Sequence, residues 1–148
     1  MHIPPFDNQN KAIIDMHDAH VPLTYFNIVK LEKGAHFSYQ IPGYETCIVP
    51  ATGSVDVDVD TTRFGRIGNR GSDVWDGEPE GVYVPTDMPA NMTCTSESCE
   101  VFVAGARYED RLAPFAVCKN EIDKMSDADV VIEITYAPKH SAGCSDKA

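Results

Sequence analysis

The chain has 148 residues, 43% of them hydrophobic, which predicts one globular domain with a single core. Its formal net charge of −11 at pH 7 argues against a nucleic-acid partner, whose phosphates attract Lys and Arg, and disfavours anionic membranes. No apolar run in the sequence approaches the roughly 20 residues that a membrane-spanning helix needs.

The first 20 residues are predicted to form an N-terminal arm. They are polar and contain two prolines, with a short helical possibility over residues 11–16. Because they have neither a basic region nor an apolar core, we expect no secretory signal. Residues 21–137 are expected to form the folded domain, and residues 138–148 a polar C-terminal tail.

Alternating apolar and polar residues predict short β-strands along most of the remaining chain. Glycine and proline turns separate these strands at intervals of roughly 8 to 12 residues, which is typical of an all-β sandwich or barrel. The predicted strands, in chain order, are residues 23–31, 36–41, 44–49, 54–60, 82–84, 90–95, 99–106 and 130–136.

Two features set the predicted boundaries in the middle of the chain. Pro50 is expected to end the third strand, because proline lacks the N–H that a sheet interior uses. Glycines 65, 68 and 71 are expected to mark a loop. The predicted strand 54–60 lies between these features. It alternates strictly and places three valines on one face and three aspartates on the other. The aspartates could bind Ca²⁺, but the wet face of a half-buried strand is the favoured interpretation.

The five cysteines are odd in number and scattered along the sequence. This favours reduced thiols in a cytoplasmic protein over the even set that a secreted disulfide framework shows. Cys94 and Cys99 flank a predicted hairpin tip. A disulfide across the two strands is therefore an alternative to two small strand residues.

A set of residues in the middle of the chain has a spacing that can be compared with a known family. They are Gly34, Glu45, Gly53, Ser54, Val55, Arg70, Gly71, Ser72, Val74, Asp76, Gly77, Pro79, Tyr83, Val84, Pro85, Glu100, Val101, Phe102, Val103 and Ala104. Together they resemble the 5-deoxy-glucuronate isomerase family of bicupins, which includes the 4-deoxy-uronate ketol-isomerases. The resemblance covers about residues 23–108 and the N-terminal half of that family. It implies a single cupin-like jelly-roll antiparallel β-barrel that tends to self-associate.

The resemblance also raises the question of a metal site. A cupin enzyme normally holds a divalent metal with a His-x-His pair, a carboxylate and a later histidine. The first motif would fall at residues 34–40 followed by Glu45, with His36 as its only imidazole, and the second at residues 85–91, which contain no histidine. Two ligands are fewer than the three protein ligands of a catalytic zinc. We therefore expect no metal and no other cofactor, with His36 and Glu45 as the fallback ligands. In the family, the metal-bearing motif looks to belong to the C-terminal cupin, and the chain is expected to be too short for a second cupin.

Five arginines are candidates for binding a ligand. Arg63, Arg70 and Arg107, with Arg66 and Arg111, could hold the carboxylate of a sugar acid at a barrel mouth. In so acidic a chain, salt bridges to neighbouring carboxylates are the alternative interpretation.

Three other side chains are assigned to contacts with a partner. Trp75 is the only tryptophan, and it could anchor an interface or cover one end of the barrel. His17 and His20 lie in the predicted arm. An interface contact is favoured for them over a zinc site completed by Asp15 or Asp18.

These observations favour a non-catalytic structural or assembly module. It would form homo-oligomers or decorate a larger particle such as a virion, in the cytoplasm or as part of that particle, without a nucleic-acid or membrane partner. The sequence contains no P-loop, Gly-x-Ser-x-Gly or Cys-x-x-Cys motif. Two alternatives stay open: a divalent-metal-dependent uronate aldose–ketose isomerase, and a metal-free cupin that binds a sugar acid through its arginines.

Overall fold

A computed structural model describes residues 6–119 of the protein. The regular elements in this range are strands, separated by turns and loops. They are β1 (Thr24–Glu32), β2 (His36–Tyr39), β3 (Tyr44–Val59), β4 (Thr62–Arg70), β5 (Gly81–Val84), β6 (Ala90–Cys94), β7 (Ser98–Arg107) and β8 (Phe115–Val117). Within the same residues, no helix is long and apolar enough to cross a membrane.

The strands form two antiparallel sheets that share the long strand β3. The first sheet has the order β1-β7-β3-β5-β8, and the second has the order β2-β6-β3-β4. The first half of β3 pairs with β7 and β5, and its second half pairs with β6 and β4. Because one strand belongs to both sheets, their inner faces enclose one core. The prediction of an all-β antiparallel architecture is confirmed.

Apolar side chains fill the space between the two inner faces. Val55, Val57 and Val59 are 0% exposed, as are Phe64 and Met92 from the neighbouring strands. Each buried side chain of this size stabilises the fold by about 1.5–3 kcal/mol. The aspartates between the valines lie on the outer face, so the predicted alternation of this strand is confirmed.

Pro50 does not end a strand, and that prediction is wrong. β3 continues through it, and the register against β7 shifts between Pro50 and Thr52. Pro50 and Ala51 are both buried, which breaks the alternation at this point. The shift is a bulge, where the missing N–H of proline is tolerated. It lies where β3 passes from the first sheet to the second.

The predicted glycine loop is also a strand. Gly65 and Gly68 lie inside β4, which pairs with β3 through two further register shifts. Phe64 and Ile67 are both 0% exposed, although they are three residues apart. A spacing of three instead of two follows from the bulged pairing. The strand therefore lacked the period-2 signal that reveals the others.

The N-terminal arm follows the edge of the first sheet and does not form the helical turn considered for residues 11–16. Ile14 makes an isolated antiparallel bridge to Phe26 of β1. The side chain of Asn10 accepts a hydrogen bond from the Lys30 N–H at 2.8 Å and donates one to the Lys30 carbonyl at 3.0 Å. These contacts cover the outer edge of β1, which would otherwise present unpaired backbone groups.

A hairpin tip was predicted between β6 and β7, and that prediction is wrong. The two strands lie in different sheets and do not pair with each other. β6 pairs with β2 and β3, and β7 pairs with β1 and β3. Strand β8 was not predicted, since only three residues pair there, with β5. The predicted strand 130–136 and the predicted tail 138–148 lie outside the described residues.

Candidate functional site

A polar cleft of about 750 Å³ lies where β3 changes sheets. Its walls come from the middle of β3, the end of β4 and the start of the loop that follows, and the turn before β7. The lining residues are Thr52, Gly53, Ser54, Arg66, Gly68, Asn69, Arg70, Gly71, Ser72, Glu80, Ser96, Glu97 and Ser98. They carry hydroxyl, amide, guanidinium and carboxylate groups, which are the groups that recognise polyhydroxylated anions.

Two glycines allow the backbone to approach closely around this cleft. Gly53 has φ +70°, and a Cβ there would collide with the Ser98 carbonyl oxygen; Gly68 has φ +116°, and a Cβ there would collide with the Gly53 carbonyl oxygen. Any other residue at either position would be both strained and overlapping. The close packing of β3, β4 and the β6–β7 turn therefore depends on both glycines.

The cleft presents two arginines, both from β4. The Nε–H of Arg70 donates to the Gly77 carbonyl at 3.0 Å, which fixes the guanidinium and leaves its terminal N–H groups available. The backbone N–H of Arg66 donates to Asp56 Oδ1 at 2.8 Å. Among the described residues, the Arg66 guanidinium has neither a hydrogen bond nor an ion pair. The two side chains can thus bind an anion without breaking an existing salt bridge.

Glu80 is a buried carboxylate in the wall of the same cleft, with 7% of its surface exposed. Its Oε2 accepts a hydrogen bond from the Gly68 N–H at 3.0 Å, and its Oε1 accepts one from the Lys119 N–H at 3.0 Å. Two backbone donors therefore hold the carboxylate in one orientation. Since each oxygen has a second lone pair, the group can still accept a proton or a substrate hydroxyl.

The hydroxyl groups of the cleft are fixed by bonds between β3 and the β6–β7 turn. Ser96 Oγ accepts from the Ser54 N–H at 2.9 Å and donates to the Ser98 carbonyl at 2.7 Å. Ser54 Oγ lies 2.8 Å from Thr95 Oγ1. This wall is preorganised, which reduces the entropy lost on binding.

The barrel interior is a second place where cupin-like chemistry could lie, and it contains few polar groups. The Tyr39 hydroxyl lies 2.6 Å from Thr46 Oγ1. Burial raises the pKa of Tyr39 well above its usual value, so the phenol is a neutral hydrogen-bond partner. Asn27 Oδ1 and Thr86 Oγ1 are buried without a hydrogen-bond partner. These are hydroxyl and amide groups, which bind divalent transition metals weakly.

The described residues do not fit a divalent metal. Within residues 6–119, no three His, Cys, Asp or Glu side chains are close enough together to hold one. The fallback pair is wrong, because the two residues lie in different sheets. His36 is exposed on β2, which pairs with β6, whereas Glu45 lies on the outer face of the first sheet and accepts a 2.5 Å hydrogen bond from the Tyr83 hydroxyl.

The predicted arginine set is not brought together. Arg70 lines the polar cleft, and Arg107 lines a separate depression of about 380 Å³ with Leu23. Arg63 lies on the outer face of β4 and makes ion pairs with Asp56 at 2.8 Å and Asp58 at 3.2 Å. The three arginines therefore do not line one cavity, and ligand binding by Arg70 and Arg107 stays a prediction. Arg63 follows the salt-bridge alternative.

The aspartates of β3 lie on the solvent-facing side of the strand. This is the interpretation that the sequence favoured over a calcium site. Asp56 and Asp58 are neutralised by Arg63, and Asp56 also accepts a backbone hydrogen bond. Their oxygens are therefore engaged by protein donors.

The three residues assigned to an interface lie on two separate segments. His17 and His20 are exposed on the arm, where the His17 N–H donates to the Tyr44 hydroxyl at 3.2 Å. The Asp18 side chain accepts bonds from the backbone N–H groups of His20 and Val21, which lower its pKa. Trp75 is 87% exposed on the loop after β4. Interface contacts at these residues stay a prediction.

Three of the cysteines are free thiols: Cys47, Cys94 and Cys99. Cys94 and Cys99 are buried, and burial together with the neighbouring Cys94 thiol raises the pKa of Cys99 to about 12. The alternative of a disulfide between them is therefore wrong, and the interpretation as small strand residues is confirmed. Cys118 is disulfide-bonded, so the prediction of reduced thiols is wrong for this residue. A cytoplasmic location stays a prediction.

Sequence reasoning missed Glu80 as a site residue. It belongs to the stretch used for the family resemblance, but no role was assigned to it. A signal was present: Glu80 immediately precedes the buried strand β5, and a carboxylate at such a boundary has backbone donors within reach. The position of the cleft had no comparable signal, because it depends on the bulges in β3 and β4.

A model of the KduI/IolB family matches residues 2–128, which is most of the chain. The chain belongs to the KduI/IolB family. The resemblance seen in the sequence is thereby confirmed, and it extends beyond residues 23–108 on both sides.

Two curated relatives from strains of Listeria monocytogenes, both called 5-deoxy-glucuronate isomerase, are 36% identical over 58 residues. That alignment covers 38% of this chain and 21% of each relative, so the chain matches about a fifth of their length. Among solved structures, an IolB-like protein from Salmonella typhimurium superimposes with a TM-score of 0.62 and 24% identity, covering 67% of this chain and 37% of that one. A putative glyoxylate-induced protein from Pseudomonas aeruginosa has a TM-score of 0.50 and 10% identity, covering 67% and 36%. These likenesses concern the fold, and the predicted cupin-like barrel is confirmed.

Membership of the KduI/IolB family overturns the main functional prediction from the sequence. A non-catalytic module that decorates a larger particle was expected, but the family is one of sugar isomerases, and nothing among the relatives supports a decoration role. That prediction was drawn from missing metal ligands in the barrel. The polar cleft lies outside the cupin metal positions, although Arg66 and Arg70 in its lining were among the candidate ligand-binding arginines.

Proposed function

We propose that this KduI/IolB-family protein binds a sugar acid in the polar cleft and isomerises it between its aldose and ketose forms. The observation that carries the proposal is the cleft itself, where two arginines, a fixed carboxylate and several serine hydroxyls converge. Family membership supports the class of reaction, and the name of the curated Listeria relatives supports a deoxy-uronate as the substrate.

The arginines account for recognition of the acid group. Arg70 is held by the Gly77 carbonyl and offers its remaining N–H groups in a fixed fork, which suits the two oxygens of a carboxylate. Arg66 is exposed at the edge of the cleft and adds a second positive charge. In a chain with a net charge of −11, such a pair is needed to attract an anionic substrate against the overall field.

Glu80 is the candidate for proton transfer. As a carboxylate, it would remove the proton from the carbon next to the aldehyde and return that proton to the former aldehyde carbon. The hydroxyl proton on the carbon next to the aldehyde moves to the aldehyde oxygen in the same sequence, so the aldose becomes a ketose with no atom gained or lost. Arg66 would stabilise the negative charge that develops on the enediolate oxygen.

The assay follows the conversion of 5-deoxy-glucuronate by proton NMR in D₂O. We expect the wild-type protein to convert it. Deuterium at the former aldehyde carbon would report exchange of the Glu80 proton with solvent before its return. Glu80→Gln should lower kcat by at least about 100-fold, the lower end of a general acid–base contribution. Arg70→Gln should mainly raise KM, since it removes contacts made in both ground and transition states.

Arg63→Gln is the matched control, because Arg63 lies on the same strand but outside the cleft. Its kcat and KM should equal those of the wild type, and circular dichroism should show all variants folded. Absence of conversion by the folded wild-type protein would refute the proposal. Equal activity of the Glu80→Gln variant, or loss of activity on adding a chelator, would refute the role given to this carboxylate.

A further inference from the structure

The most exposed large hydrophobic side chain of the described residues stands on the loop that borders the polar cleft. Trp75 is 87% exposed, and it is the single tryptophan of the chain. An indole ring so fully in water has no role in the core, since burying it would remove a large apolar area from solvent. Its position on the loop of residues 71–80, hereafter the Trp75 loop, suggests what could cover it.

Both ends of the Trp75 loop lie in the wall of the cleft. Gly71 and Ser72 line it at the start of the loop, and Glu80 lines it at the end. Trp75 follows Ser72 by three residues, so its Cα lies within about 11 Å of a lining residue. The indole ring is therefore carried by a short segment that begins in the cleft wall.

The tip of the loop is held as one unit. The Trp75 N–H donates to Asp73 Oδ1 at 3.0 Å, the Asp73 N–H donates to Asp76 Oδ2 at 3.2 Å, and the Asp76 N–H donates to the Asp73 carbonyl at 3.1 Å. The loop is anchored at three points: the Gly71 carbonyl accepts from the Gly53 N–H at 3.1 Å, the Gly77 carbonyl accepts from Arg70, and Glu80 accepts from the Gly68 N–H. Most of the residues between the first two anchors, 72–76, are exposed. A segment with a rigid tip and little burial can move at low cost.

The lining of the cleft contains no aromatic ring that could pack on the face of a sugar. None of its lining residues has an aliphatic or aromatic side chain larger than threonine. A pyranose ring has hydroxyl groups at its edge and C–H groups on its faces, and small-molecule sites normally combine polar groups with aromatic surface. Trp75 would supply the missing aromatic surface, while Arg70 and Glu80 satisfy the polar edge.

We propose that the tip of the Trp75 loop, residues 72–76, closes over the cleft when a sugar acid binds, so that the indole ring packs on a face of the sugar. This inference rests on the proposed site for a sugar acid, but it does not require that the protein isomerises the ligand. It assigns to Trp75 a role in holding the ring, alongside the role of Arg70 in holding the carboxylate.

The single tryptophan makes the proposal directly measurable. Titration of the full chain with D-glucuronate should produce a saturable blue shift of tryptophan emission, because the indole leaves water. D-glucose, which has the same ring without the carboxylate, should produce a shift at much higher concentrations. Arg70→Gln should raise the Kd for glucuronate by at least about 10-fold, which corresponds to the loss of a charged hydrogen bond.

Calorimetry tests the variants that lack the fluorophore. Trp75→Ala should raise the Kd for glucuronate by about 2- to 10-fold, in keeping with the loss of one aromatic packing contact, and Trp75→Phe should retain most of the affinity. Leu23→Ala is the matched control, because Leu23 is also exposed, at 60%, but borders the other depression. Its Kd should equal that of the wild type.

The outcomes separate this inference from the proposed function. Binding with a blue shift but no isomerisation supports the loop closure and refutes the catalytic role of Glu80. Binding without a blue shift, or unchanged affinity of Trp75→Ala, refutes the loop closure and leaves the catalytic proposal standing. A blue shift that appears when the protein is concentrated without sugar refutes the loop closure and indicates that Trp75 is a self-association contact. Absence of binding by calorimetry refutes both proposals.

Discussion

The barrel interior and the polar cleft are both built on β3, but the two regions have opposite chemistry. The inward-facing residues of β3 include Val55, Val57 and Val59, all 0% exposed. A few residues earlier, Thr52, Gly53 and Ser54 line a cleft that also holds two arginines and a buried carboxylate. The boundary between them is the bulged part of the strand, where the register shifts against β7 and β4.

This difference teaches where function can reside in such a barrel. The interior supplies stability, because its groups are apolar or are neutral hydroxyls and amides. The cleft supplies charge and fixed hydrogen-bonding groups, and it requires glycine at two positions and the burial of a carboxylate. Within the described residues, the interior has no set of metal ligands, whereas the cleft beside it has the groups that a sugar acid requires.

The largest loss of stability is expected for a substitution in the barrel interior. Phe64→Ala should lower the free energy of unfolding by about 3–5 kcal/mol, because it leaves a cavity at a fully buried site. Urea unfolding followed by circular dichroism measures the loss, with Leu23→Ala as an exposed control expected to change it by less than about 0.5 kcal/mol. A loss below about 1 kcal/mol at Phe64 would show that the interior is not the tightly packed region described above.

The boundary between the regions should respond to a single methyl group. Gly53→Ala should cost about 3 kcal/mol, since it combines a left-handed φ with a collision against the Ser98 carbonyl. Gly34→Ala is the matched control, with φ +78° and open space around it, and should cost only about 1 kcal/mol. Equal losses in chemical denaturation would mean that the close approach at Gly53 does not shape the cleft.

The cleft carboxylate should matter for stability as well as for chemistry. Glu80→Ala leaves the N–H groups of Gly68 and Lys119 without their acceptor and should cost about 1–3 kcal/mol. Glu97→Ala removes another cleft carboxylate whose side chain is 89% exposed, and it should change the unfolding free energy very little. If both variants have the same free energy of unfolding, the two hydrogen bonds to Glu80 do not hold this carboxylate in place.

The smallest effect is expected on the outer face of β4. Arg63→Gln removes the ion pairs with Asp56 and Asp58 but should cost less than about 1 kcal/mol, because the arginine side chain is 62% exposed. The loss should shrink further in high salt, which screens exposed charges. A salt-independent loss of several kcal/mol would show that this outer face contributes to stability as the interior does.

Local patterns in the sequence were enough to predict the regular part of the fold. A pattern of period two between turn residues located the strands around residues 24–32 and 98–107, and the strictly alternating valines of β3 were correctly assigned to the core. The residues that resemble the isomerase family identified the family itself. Prediction failed at Pro50 and along β4, because bulges there interrupt the period of two that signals a strand. Strand β8 was missed because its three residues are too few to show that period.

The sequence by itself thus determined an acidic, all-β, cupin-like chain of the KduI/IolB family, because alternation and family spacing are properties of neighbouring residues. Only the tertiary structure decided which polar residues act together. It separated His36 from Glu45 and Arg63 from Arg70, and it brought Glu80 beside Arg70 in one cleft. The physical reason is that a site combines residues far apart in the chain, and their meeting depends on bulges and on which sheet each strand joins.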